Sequence, residues 1–189
     1  MRKKLNQLNL HIFTANDLEQ IFGATKQASQ SFLSYNSQNN YLIRLRKGYY
    51  CFNEEEISNF LVANNVYTPS YISLASALSF HQLIPETVYS TTSVTTKKTQ
   101  EFTIGEKHFV YRSIKRDGFF GYKTYQSAGD RVYIATPEKS LADYVYYQQL
   151  DGGKVNDRLD IKKLDKKIFL EYLNRLGGKK LVDFWKEYD

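Results

Sequence analysis

FTANDLEQIFGATKQASQSFLSYNSQNNYLIRLRKGYYCF, residues 13–52, holds the clearest structural pattern in the chain. Thr14 has the side-chain oxygen of an N-cap, and Leu18, Ile21 and Phe22 then recur at helical spacing. Gly23 closes that helix, and Thr25 caps a second one two residues later. In the second helix Ala28, Phe32 and Tyr35 mark the expected buried side, with Leu33 off the pattern. Lys26, Gln27, Gln30 and Ser34 share the opposite side. Tyr41, Ile43 and Leu45 alternate with Leu42, Arg44 and Arg46 at the period of a strand. Lys47-Gly48 supplies a turn, and residues 49–52 form the returning strand. Helix, turn, helix and a cation-tipped hairpin make the plan of a winged helix-turn-helix. There the second helix enters a major groove while the wing touches phosphates. The expected phosphate contacts are Arg44, Arg46 and Lys47; the expected groove-facing residues are Lys26, Gln27, Gln30 and Ser34. Gln27 and Gln30 have the amide groups that pair with adenine edges, or they stand as solvated helix surface. Helix pairs followed by hairpins also occur in domains that bind only protein.

Charge supports the nucleic-acid reading by its distribution. The first 52 residues hold seven cations against Asp17 and Glu19, which is +5 of the chain's formal +6. Arg2-Lys3-Lys4 alone would read as a solvated N-terminus; the hairpin cations would not. The 189 residues suffice for one ample domain or two small ones. Asn64-Asn65 and Thr68-Pro69 interrupt the apolar period, so the expected division is 1–66 and 67–189. Cys51 is the single cysteine, which excludes an internal disulfide and suits a small apolar role in a strand. No apolar run approaches the ~20 residues of a membrane span, and the N-terminus lacks a signal-peptide core. The expected location is the cytoplasm, with no membrane partner. Sixteen Tyr and twelve Phe mainly serve core and strand surface, an RNA-stacking platform being the other use.

Beyond the hairpin, Asn53-Glu54-Glu55-Glu56 reverses the charge and begins a helix with Ile57, Phe60 and Leu61 on one side. A further helix is expected from Ser70 or Ser73 through Leu74, Ala77 and Leu78 towards His81. Alternating β-branched and aromatic residues predict strands at 87–94, 101–104, 108–114, 118–125 and 131–135. Gly105-Glu106 and Ala128-Gly129-Asp130 are the predicted turns. Thr136-Pro137-Glu138 reads as a helix start, followed by an apolar stripe of Leu141, Ala142, Val145 and Tyr146 and ended by Asp151-Gly152-Gly153. The last forty residues hold two or three short helices divided at Gly177-Gly178, with Ile168, Phe169, Tyr172 and Leu173 in one and Leu181, Phe184 and Trp185 in another. The expected fold class is α+β: a winged helix-turn-helix followed by a mixed α/β domain with a central antiparallel-rich sheet and C-terminal helices.

Catalytic chemistry finds no support in the residue pattern. A nucleotidyltransferase needs a Gly-Ser turn and nearby paired acids to hold two metals. The chain has no Gly-Ser dipeptide, and Asp157 and Asp160 stand alone. His11, His81 and His108 lie far apart without ligand spacing, and no Gly-rich phosphate loop is present. No catalytic residue, metal or cofactor is therefore expected. Capping accounts for Thr136-Pro137-Glu138-Lys139. Lys97-Lys98 and Lys115-Arg116 fall in predicted loops, either as solvated turns or as further contacts to phosphate, RNA or a partner.

Two longer stretches carry a family resemblance. YISLASALSFHQLIPETVYSTTS (71–93) followed by FVYRSIKRDGFFGYKTYQSAGDRVYIATPEKSLADYVYY (109–147) resembles the AbiEi family, antitoxins of abortive-infection type IV toxin–antitoxin pairs. Its most specific pieces are Ile72-Ser73-Leu74 with Ala77-Leu78, then Phe120-Gly121, then Ala135-Thr136-Pro137-Glu138-Lys139, in that order and spacing. Family members place a winged helix-turn-helix before this block, so the resemblance reaches to about Leu150. It implies that the N-terminal domain binds inverted repeats in promoter DNA and represses its own operon. It implies too that the second domain counteracts a co-encoded nucleotidyltransferase toxin. Two other readings stay open: a stand-alone regulator whose second domain senses a ligand or oligomerises, and a protein- or RNA-binding adaptor.

Overall fold

The computed structural model describes residues 1–53, 57–127 and 130–188. The N-terminal unit contains α1 (Arg2–Gln7), α2 (Ala15–Phe22), α3 (Lys26–Gln38) and a hairpin of β1 (Leu42–Arg46) and β2 (Tyr49–Phe52). A reciprocal cap opens α2. Thr14 N donates to Asp17 Oδ2 at 2.7 Å, and Asp17 N donates back to Thr14 Oγ1 at 3.3 Å, an arrangement worth about 1 kcal/mol. Gly23 ends the helix at φ 66°, a left-handed conformation that a side chain would strain. Thr25 Oγ1 accepts from Ala28 N and starts α3. Phe13 and Tyr50 exchange both backbone hydrogen bonds at 2.9 Å, tying the segment before α2 to the hairpin. Leu5, Phe13, Leu18, Leu33 and Leu42 form the small core beneath.

The structure sharpens one open reading for this unit and corrects one expectation. The N-terminal residues form a helix docked through the fully buried Leu5, while Arg2, Lys3 and Lys4 stay exposed, Lys4 Nζ donating to Ile21 O at 2.9 Å. In α3 the buried stripe is Ser29, Phe32, Leu33 and Asn36, while Ala28 is exposed and Tyr35 is 66% exposed. That stripe has the i, i+3, i+4, i+7 spacing of a docked helix face. A buried serine at its start and an asparagine at its end blur it for a search by hydropathy.

The second unit runs α4 (Asn59–Val66), β3 (Ser70–Ile72), α5 (Leu74–Phe80), β4 (Ser90–Thr95), β5 (Gln100–Ile104) and β6 (Lys107–Ser113). A single 3-10 turn at Arg116–Gly118 leads to β7 (Tyr122–Ser127), β8 (Asp130–Ala135), α6 (Pro137–Asp151) and α7 (Lys166–Lys186). Six strands form one mixed sheet in the order β5-β6-β4-β3-β8-β7. The pairs β3/β4, β5/β6 and β7/β8 are antiparallel, while β3/β8 and β4/β6 are parallel. The expected strands all exist with shifted bounds; ahead of Tyr122, Gly118 ends the 3-10 turn and residues 119–121 are irregular instead of strand. Of the two helix starts expected, Ser70 and Ser73, the second is the observed one: Ser73 is the N-cap of α5, while Ser70–Ile72 is an interior strand buried at every position. Three residues buried on both faces carry no period to read. Of the expected helix start at Asn53-Glu54-Glu55-Glu56, Glu54 to Glu56 lie outside the described residues; the helix itself begins at Asn59 behind a Ser58 cap. The predicted turn at Ala128 and Gly129 is likewise outside them.

Adjacent residues of β6 show how the sheet is covered. Tyr111 donates its hydroxyl to Ala63 O in α4 at 2.8 Å, whereas the Arg112 guanidinium lies 4.4 Å over the Tyr147 ring in α6. Successive strand residues point to opposite faces, so α4 packs on one face and α6 on the other. α7 packs against α6 through Phe169, Leu173, Leu181 and Trp185, and it breaks at Gly178 (φ 62°) where the glycine pair predicts a division. Val62, Ala63 and Val66 of α4 belong to the sheet core. Ile12 of the N-terminal unit belongs to the same cluster, and Leu45 and Tyr49 of the hairpin pack against it, so the sheet core extends across the join.

Candidate nucleic-acid interface

Local backbone rules place the outward face of α3. With Ser29 and Leu33 turned into the core, Lys26, Gln27, Gln30 and Ser34 are all exposed. Gln27, Gln30 and Ser34 are spaced i, i+3, i+7 and form a ridge about 10 Å long on one side of the helix. Lys26 occupies the first turn, at the positive end of the helix dipole, and Tyr35 adds an exposed ring beside the ridge.

The hairpin separates cations that a simple alternation places together. Arg44 pairs in register with Tyr50 and Arg46 with Tyr49, so a bulge lies between the two arginines. Such an extra residue re-aims the side chains that follow it. Arg44 and Lys47 are exposed and make no side-chain hydrogen bond or ion pair among the described residues. Arg46 turns into the second unit. Its guanidinium lies 5.2 Å from the Tyr67 ring centroid and 4.7 Å from that of Phe102, and it donates to Val66 O at 3.4 Å. Arg46 is thus a joint residue, and the expectation of a free phosphate contact is corrected for it. Strand period alone carried no sign of the bulge, and Tyr67 and Phe102 are too distant in sequence to suggest the contact.

Elsewhere the N-terminal charge is also committed to packing. Lys4 lies 5.0 Å over the Phe22 ring and Arg2 lies 5.3 Å over Phe52. Their contribution to the +5 of this unit is a general field, not a set of free contacts.

A second polar constellation lies inside the sheet unit. Lys139 and Asp143, one helical turn apart on α6, are both fully buried and form an ion pair. Asp143 Oδ2 accepts from Tyr71 Oη at 2.9 Å and from Ser73 Oγ at 2.7 Å. Lys139 Nζ also donates to Gly118 O at 3.1 Å and lies 4.5 Å over the Phe120 ring. Burial pushes the Tyr71 hydroxyl well above its ordinary pKa, reinforced by Asp143. Burial lowers the Lys139 pKa, with Asp143 pulling the other way. Capping therefore explains only part of the Thr136–Lys139 motif: Thr136 Oγ1 does cap by accepting Lys139 N, while the lysine side chain locks the turn at Gly118 to α6. The signal available in sequence was a Lys and an Asp at i, i+4 inside an otherwise apolar stripe.

The histidines stand apart. His81 Nε2 contacts Ala135 O at 2.8 Å, and His108 faces Glu101 at 3.7 Å across the β5/β6 pair. An open cleft of about 560 Å³ lies between α5, the segment before β4 and α6, with Ile84, Glu86, Tyr89, His108 and Tyr144 in its wall. No helix among the described residues is long and apolar enough to cross a membrane. No protein-family model matches this chain, and no curated protein matches it.

Proposed function

We propose that the chain is a DNA-binding antitoxin of the AbiEi kind, which represses its own operon and counteracts a co-encoded nucleotidyltransferase toxin without catalysing a reaction. The observations that carry the proposal are the exposed polar ridge on α3 and the exposed Arg44 and Lys47 on the hairpin that follows it. Read as a winged helix-turn-helix, α3 lies in the major groove. Gln27 and Gln30 then meet base edges while Arg44 and Lys47 hold phosphates. The ordered motifs from Ile72 to Lys139 support the family part of the reading.

The direct test is titration of the full chain against a duplex carrying the inverted repeats upstream of its gene. Arg44→Ala with Lys47→Ala weakens binding to all sequences and lowers the salt slope by about 2, one unit per lost phosphate contact. Gln30→Ala changes the ranking of sites instead, at a cost of ~1–3 kcal/mol. An unchanged affinity for the double wing variant rejects the assignment. Growth rescue on co-expression with the neighbouring gene tests the antitoxin half. The cleft beside Tyr144 favours one second reading, a stand-alone regulator whose sheet unit senses a small ligand.

A further inference from the structure

At the amino ends of β4 and β6, where Ser90 and His108 are register partners, the open cleft of about 560 Å³ cuts between α5, the segment before β4 and α6. Its floor is carbon: Leu78 of α5 with Ile84 and Val88 of the segment that follows. Two rings, Tyr89 and Tyr144, and two carboxylates, Glu86 and Glu106, stand in the wall. Among the described residues no lysine or arginine lines it. In a chain of formal charge +6 this is a local reversal of sign. Tyr89 is 92% exposed, so almost none of its ring is covered by the rest of the chain.

One of the carboxylates is held in place. Asn156 joins two parts of the wall: its backbone N donates to Tyr144 Oη at 3.2 Å, and its Nδ2 donates to Glu86 Oε1 at 3.1 Å. The Asn156 amide is the main cause that keeps the Glu86 carboxyl below its ordinary pKa, so it is charged at neutral pH. Glu86 Oε2 is shielded from solvent and has no hydrogen-bond partner among the described residues, which leaves the carboxylate one donor short. Arg158 reaches only Oε1, at 3.7 Å, in a weak surface pair. His108 is turned to β5, where Thr103 Oγ1 lies 3.3 Å from its Nδ1 and Glu101 lies 3.7 Å from its Nε2.

We propose that this cleft binds a small organic amine, its ammonium drawn to Glu86 and Glu106 and its apolar body laid on Leu78, Ile84 and Val88 beside the two tyrosine rings. The carboxylates set the sign of the ligand, and tyrosine faces attract the same cation. The carbon floor rewards an apolar body, and the volume falls in the ordinary range of small-molecule sites. A metal ion is a poorer occupant, since among the described residues no group of three His, Cys, Asp or Glu is placed to hold one. The proposal goes beyond the DNA-binding reading and does not rest on it; it gives a ligand class to the cleft that a ligand-sensing sheet unit would use. The hairpin adjoins the opposite end of the sheet, where Tyr67, which carries the Arg46 guanidinium, donates to Lys98 O just past β4. The six residues of β4 put about 17 Å between the two ends.

The test is an NMR titration of the full chain with phenethylamine and hexylamine, one aryl and one alkyl body, and with 2-phenylethanol as the neutral counterpart. Saturable amide shifts at residues 84–90 and 106–108 and at Tyr144 are expected, with a dissociation constant at or below about 1 mM for the better amine. The alcohol should bind roughly tenfold or more weakly. Glu86→Gln keeps an acceptor for Asn156 but removes the charge, and should weaken the amine by roughly tenfold or more. Tyr89→Ala should weaken it by roughly two- to fivefold. Both side chains lie at the surface, and thermal unfolding checks that each variant is folded. No saturable binding of either amine up to about 10 mM overturns the site. So does equal binding of amine and alcohol, or an amine affinity that neither Glu86→Gln nor Glu106→Gln alters. Arg44→Ala with Lys47→Ala should leave amine binding as it is, so loss of the DNA-binding reading and loss of this site are separate results.

Discussion

The two units handle charge in opposite ways. The N-terminal helices and hairpin leave Arg44, Lys47 and the α3 polar ridge in water, above a core of five buried side chains. The sheet unit takes a lysine and an aspartate out of water entirely and satisfies them with Tyr71, Ser73 and Gly118. Exposed charge costs little to keep and serves steering and contact. Buried charge is tolerated only when its partners are complete, and it fixes the elements that carry those partners. Arg46 lies between the two regimes: a cation of the hairpin, half-buried on the rings of Tyr67 and Phe102.

The largest test of this contrast is Asp143→Ala. It strands the Lys139 ammonium beside two hydroxyl donors, so destabilisation by about 3–5 kcal/mol is expected in urea unfolding. A loss below about 1 kcal/mol would mean the pair is dispensable. Replacing Lys139 and Asp143 together by Met and Leu should recover much of the loss, because an apolar pair leaves no orphaned charge.

Arg46 against Arg44 is the finer test. Arg46→Ala removes two cation–ring contacts and should lower stability by about 1 kcal/mol. Arg44→Ala should leave the unfolding midpoint in place and, on the DNA-binding proposal, weaken binding and lower its salt slope by about one. Equal effects of the two substitutions on stability and on salt slope would erase the distinction drawn between them.

The smallest expected effect is a pH dependence at His81. Burial lowers its folded pKa from the ordinary 6.5, with Ala135 O and Glu138 partly opposing. The unfolded chain then binds more protons in the window just below pH 6.5. Stability from the neutral ring is complete above that value and falls away as pH drops towards the folded pKa. A His81→Asn variant should show a flatter acid limb in unfolding midpoints measured across this window. An identical limb would assign the slope to other groups.

Much of the architecture was legible because it depends on neighbours in sequence. Thr14 with Asp17, Gly23, Thr25, Lys47-Gly48, Thr136-Pro137 and Gly152 all act within a few residues of themselves, and the caps and turns they predict are present. Lys26, Gln27, Gln30, Ser34, Arg44 and Lys47 are exposed, but the local period in α3 pointed to the wrong buried face, Ser29 and Leu33 lying inside where Ala28 and Tyr35 were expected. The failures share one cause. Docking of α1, burial of Ser29, the strand at Ser70–Ile72 and the capture of Arg46 all depend on residues far along the chain.

Composition, local caps and hairpin signals thus established an α+β chain with its net positive charge gathered near the N-terminus, since these features arise from short-range backbone preferences and charge counts. Which cations remain free, and which pairs are sealed inside, came from packing between distant segments. A bulge of one residue turns Arg46 towards the second unit, and it leaves no mark in the local sequence.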